Sequence, residues 1–76
     1  MADFVEAATS LVVMLNKRPG TNPQSHSVVA RTETNDDGSF KRSIQVSWHP
    51  NFKGSKDLPD KHLGWPITVT PWPSSL

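Results

Sequence analysis

The side chains with reactive chemistry in this chain are three histidines (His26, His49, His62), a scatter of serines and seven carboxylates; there is no cysteine. Nucleophilic catalysis needs a nucleophile beside a base, with a third group orienting that base. No serine here lies in a nucleophile-elbow sequence, and a 76-residue domain rarely encloses the few hundred Å3 that small-molecule sites occupy. The pattern therefore predicts no enzyme, no catalytic residue, no cofactor and no small-molecule substrate. For a metal, the segment DLPDKH supplies Asp57, Asp60 and His62, with His49 nearby in sequence. A zinc site wants three or four ligands on a rigid frame. This segment reads instead as a loop whose charges are solvated beside Pro59, so no metal site is expected. There is no EF-hand spacing and no glycine-rich phosphate loop.

Two sets of residues have the chemistry for binding a macromolecule. Between Phe40 and Lys61 the chain interleaves Phe40, Trp48 and Phe52 with Lys41, Arg42, Lys53, Lys56 and Lys61. Single-strand nucleic-acid binders combine a basic groove with aromatic platforms of this kind. Nucleic-acid binding through Lys41, Lys53, Lys56 and Lys61 is accordingly the alternative reading. The other set is the tryptophans, Trp48, Trp65 and Trp72, a residue type enriched at the energetic centres of protein interfaces. Trp48 and Trp65 are large enough to be needed in a small core. Trp72, between Pro71 and Pro73, either folds back over the hydrophobic face or docks into a partner. The final Ser74-Ser75-Leu76 fits loosely the pattern of a C-terminal peptide taken up as an added strand.

These groups need elements to hold them, and the clearest is a β-hairpin over 27–34 and 40–48. Its strands are β-branched or alternate apolar with polar, and Asn35-Asp36-Asp37-Gly38-Ser39 between them is turn chemistry. A two-residue Asp37-Gly38 loop would place Arg31 opposite Ile44 and mix apolar with charged positions on one face. A three-residue loop, Asp36-Asp37-Gly38, with Gly38 left-handed in a bulge, pairs His26 with Trp48, Val28 with Val46, Ala30 with Ile44 and Thr34 with Phe40 on one face. Val29–Gln45, Arg31–Ser43 and Glu33–Lys41 then fall on the other face. A one-residue slip would flip every side chain, so the segregating register is expected. It places Phe40 and Trp48 in the core and leaves Phe52 and Trp72 as the exposed aromatics.

At the N-terminus, Asp3 and Glu6 make a capping-box-like start, and Phe4, Ala8, Leu11 and Leu15 share one helical stripe that Pro19-Gly20 ends. A helix over 3–16 is expected, with a strand over 10–17 as the alternative, because Leu11 to Leu15 is also an apolar run. Residues 49–64 read as an irregular loop anchored by Phe52, Leu58 and Leu63. Trp65 to Thr70 reads as a short edge strand, since Pro66 and Pro71 lack donors, and 71–76 as an extended tail.

The fold expected is α+β: one domain over 1–76, with the N-terminal helix packed on a small antiparallel sheet centred on the hairpin. An all-β meander is the alternative. Net charge is +1, with −2 over residues 1–39 and +3 over 40–76, a mild asymmetry that selects no partner. No apolar run approaches the ~20 residues of a membrane span, and MADFVEAATS carries acids where a secretory signal has bases, so a cytoplasmic, membrane-free protein is expected. The function these features favour is a small non-enzymatic protein–protein interaction module, an assembly component, inhibitor or adaptor. Its partner-binding residues would be Trp72, Trp65, Phe52, Lys53 and Lys56. Self-association as a homo-oligomeric structural protein is the second alternative, since a small sheet leaves its edges unpaired.

Overall fold

The computed structural model describes residues 2–73 and shows an α+β fold. Asp3 lies in extended backbone, and its side chain accepts a hydrogen bond from the Glu6 amide at 2.8 Å, which caps helix α1 (Phe4–Asn16). The helix alternative is thus the one realised over this segment. Phe4, Ala7, Leu11 and Leu15 are its buried face; Ala8, expected on that stripe, is only half-buried.

Strands β1 (His26–Thr34) and β2 (Phe40–Trp48) form the hairpin in the face-segregating register, from His26↔Trp48 to Thr34↔Phe40. The Gly38 amide donates to the Asn35 carbonyl at 3.0 Å and the Asn35 amide to the Ser39 carbonyl at 2.8 Å. Gly38, at φ +86°, takes the left-handed conformation of the bulge. Two further strands, β3 (Lys61–His62) and β4 (Trp65–Val69), complete a sheet of order β1-β2-β4-β3.

The outer half of this sheet differs from the sequence expectation in three respects. Strand β4 pairs with β2 in parallel (Ile44↔Ile67, Val46↔Val69), so the sheet is mixed. Strand β4 is also not at the edge, because β3 covers its far side (Lys61↔Pro66, His62↔Trp65). Pro66 is tolerated there by position. Backbone direction alternates along a strand, and the Ile67 amide donates towards β3, to the Asp60 carbonyl at 2.8 Å. The missing donor of Pro66 therefore faces β2, one residue ahead of the first β2–β4 pair. Finally, the segment 49–64 is not wholly irregular: after a crossover over 49–60 it makes the short hairpin β3–β4. Leu63 (φ 51°) and Gly64 (φ 90°) turn it, both left-handed as a two-residue type I′ loop requires.

Helix α1 lies across one face of this sheet. The core joins its buried stripe to Ile44, Val46, Trp48 and Phe52, flanked by Val28, Leu58, Trp65 and Ile67. Phe52 is therefore a core residue and not an exposed aromatic: it is 7 % exposed and its ring stacks on Trp48 at 4.9 Å, 10° from coplanar. The turn closed by the Phe52 amide on the His49 carbonyl, at 2.9 Å, folds it back. Phe40 is the converse. It shares the inner face with Ile44 and Trp48 but is 68 % exposed. Lengths explain this: a 13-residue helix spans about 20 Å, whereas a nine-residue strand spans about 30 Å, so the helix runs out before the hairpin does. The thinnest dimension of the molecule, 17 Å, is one helix layer on one sheet layer.

Candidate interaction surface

The consequence of that mismatch in length is an arm. Residues 29–42 are exposed without interruption, on both faces of the hairpin. Its inner face carries Ala30, Thr32, Thr34, Phe40 and Arg42, and its outer face Val29, Arg31, Glu33 and Lys41. The tip is held by polar bonds. The Asp37 carboxylate accepts from the Ser39 hydroxyl at 2.6 Å and the Ser39 amide at 2.9 Å, and the Asn35 side chain donates to the Ser39 hydroxyl at 2.9 Å. The Ser39 hydroxyl, followed by its amide, holds the Asp37 carboxyl below its ordinary range. Arg31 pairs with Glu33 on the same strand at 3.2 Å, both half-exposed.

At the root of the arm, on the helix side, a shallow cavity of about 430 Å3 is lined by Asp3, Phe4, Val5, Ala30, Thr32 and Arg42. The Arg42 guanidinium sits 5.7 Å above the Phe4 ring, and Trp65 packs on the other side of this corner, 5.0 Å from Phe4. Val5 at its rim is 69 % exposed. Of the expected binding residues, Trp65 is thus half-buried against the helix N-terminus, its indole N–H donating to the Ala2 carbonyl at 3.0 Å.

The other expected binding residues gather at the opposite end of the sheet. Trp72 folds back, half-buried, with its ring edge-on to His49 at 5.0 Å. An open cavity of about 440 Å3 there is lined by His49, Phe52, Lys53 and Gly54 and by the 20–25 segment. Lys53 and Lys56 are exposed on this loop, whereas Trp65 lies at the far end of β4. The five residues do not form one site. Ser74-Ser75-Leu76, the sequence candidate for strand addition, lies outside the described residues.

The lysines of the nucleic-acid reading are dispersed in the same way. Lys41 is near the arm tip, opposite Glu33, and Lys61 lies on the outermost strand; Lys53 and Lys56 are at the other end of β2, about 27 Å away along the strand. Asp57, Asp60 and His62 do not converge either, and no group of three metal-ligating side chains occurs among the described residues. The ring of His62 is bonded to the Ser10 hydroxyl at 3.0 Å. His26, buried against Trp48 and bonded to the Ser25 hydroxyl at 2.9 Å, is pushed below its ordinary pKa by desolvation. No helix among the described residues is long and apolar enough to cross a membrane.

Sequence reasoning missed the arm as a surface because it treated apolar face and buried face as the same thing. The legible signal was the ratio of lengths: nine-residue strands facing a helix of 13 residues. No family model, no curated protein and no solved structure matches this chain.

Proposed function

We propose that this chain is a non-enzymatic protein–protein interaction module that makes contact through its hairpin arm. The observation that carries the reading is the unbroken exposure of residues 29–42, with Phe40 and Val29 among them, a stretch that supplies no buried hydrophobic side chain. Isolated two-stranded hairpins are marginal in water. One that projects from a small core with an aromatic side chain in solvent gains stability by docking. Large exposed aromatics at the centre of a contact dominate binding energy.

Phe40→Ala tests the reading, because a side chain this exposed contributes little to the fold. Wild-type and Phe40→Ala chains, each used as cross-linked bait in cells that also carry a differently tagged second copy, are compared by quantitative mass spectrometry. The expected result is about tenfold depletion of at least one protein, the second copy included, with the melting temperature unchanged. Identical capture by both baits overturns the proposal.

A further inference from the structure

We propose that the arm's partner is a second copy of this chain, joined through β1 in antiparallel pairing about a two-fold axis at Thr32. This rests on the arm being the contact element. Strand β1 is the end strand of the sheet, and its outer edge has no neighbour among the described elements. The Ser25 carbonyl accepts from the His49 amide and the Asn35 amide donates to the Ser39 carbonyl, so the odd-numbered backbone groups of β1 face β2. Those of the even-numbered residues, Val28, Ala30, Thr32 and Thr34, face outwards. The edge carries no proline, bulge or lysine, and its charged side chains are Arg31 and Glu33.

Two symmetric copies can pair in few registers. Hydrogen-bonded pairing must match even residues with even ones. A two-fold at Ala30 sets Arg31 opposite Val29 and Glu33 opposite Ser27, leaving both charges without an opposite charge across the seam. A two-fold at Arg31 sets Arg31 against its own copy, and one at Glu33 does the same with glutamates, like charges that destabilise a cross-strand pair. The two-fold at Thr32 uses only the exposed half, pairing Ala30 of one copy with Thr34 of the other. It also sets Arg31 of each copy opposite Glu33 of the other. The β1 edge is thus self-complementary in charge in this one register.

The same axis accounts for the exposed apolar side chains. Because the two-fold runs perpendicular to the joined sheets, both helices lie on the same side. Phe40, across from Thr34, then points over it towards Ala30 of the other copy, at the mouth of the cavity that Phe4, Val5, Ala30 and Arg42 line. Each copy's exposed Phe40 covers the other's exposed Val5 corner.

The test is sedimentation equilibrium of the purified chain from about 10 μM to 1 mM, since a contact confined to half a strand lies in the small, transient class of interfaces. A concentration-dependent dimer is expected. Arg31→Glu and Glu33→Arg should each weaken it about tenfold, and the Arg31→Glu/Glu33→Arg chain should restore it. Thr32→Pro, which removes an outward-facing amide while leaving the β1–β2 ladder intact, should abolish it, circular dichroism checking the fold. A monomer at 1 mM overturns the proposal, as does a dimer indifferent to the charge changes. Arm-dependent capture of a different protein in the bait experiment, alongside such a monomer, would leave the module reading standing and remove only the second copy.

Discussion

Gly54 shows how a single residue in a loop fixes the core. A Cβ placed on it would lie 2.5 Å from Cζ of Phe52, whose ring is stacked on Trp48. Relieving that contact would shift the ring against its stack on Trp48. Gly54→Ala should cost about 1–3 kcal/mol, the usual range for overpacking, read as a lower urea midpoint and a changed tryptophan emission. An unaltered midpoint would show that the loop shifts freely and that Phe52 is not clamped. His26 makes a second prediction at this scale. Burial holds its pKa below the ordinary 6.5, so the unfolded chain binds the extra proton first as the pH falls. The contribution of neutral His26 to stability is fully present above that value and is lost progressively below it. Wild-type stability should therefore decline from pH 7.5 to pH 5, and His26→Gln should decline less over the same interval. Equal slopes in the two proteins would assign the decline to other groups.

At the scale of elements, the β3–β4 hairpin carries visible strain. Leu63 occupies the left-handed region at φ 51°, a conformation that costs most side chains about 1–2 kcal/mol, and it is half-exposed, with little burial in return. Leu63→Asn should raise the unfolding free energy by about 0.5–1 kcal/mol, measurable by denaturant melts; a loss of stability would mean that the Leu63 side chain contributes more packing than its exposure implies. The same turn marks the limit of what the residues announce. Asn35-Asp36-Asp37-Gly38-Ser39 declares a turn because asparagine, aspartate and glycine tolerate its backbone, and so the register of β1 and β2 was readable to the residue. The capped helix was readable from Asp3 and Leu15 by the same kind of local rule. His62-Leu63-Gly64-Trp65 gives no such sign, since leucine is forced into the turn by the pairing around it. The parallel β2–β4 contact likewise depends on where a 12-residue crossover delivers the chain, which no local pattern encodes. Of the residues expected to bind, Lys53, Lys56 and Trp72 lie at the opposite end of the sheet from the arm, while Phe52 and Phe40 exchanged roles because burial depends on which element covers which.

For the whole molecule, the decisive fact is that stability and the proposed contact occupy different halves. Every buried hydrophobic side chain among the described residues comes from α1, from β2 beyond Arg42, or from Phe52; residues 29–42 supply none. Helix and sheet therefore make a complete, if small, core at one end, and the arm extends from it as a separable device. This division is testable by shortening. Removing Glu33-Thr34 together with Phe40-Lys41 takes an even number of residues from each strand, so the turn residues Asn35 to Ser39 reconnect without flipping either face. The shortened chain should keep a cooperative melt, with a change in unfolding free energy below about 1 kcal/mol, because no core side chain is lost and the loop it closes is shorter. It should also lose the association that Phe40 and the Arg31–Glu33 pair support, leaving a monomer at concentrations where the full chain self-associates. If shortening instead abolished the cooperative melt, the arm would be part of the folding unit, and its exposure would reflect structural necessity and not a contact surface.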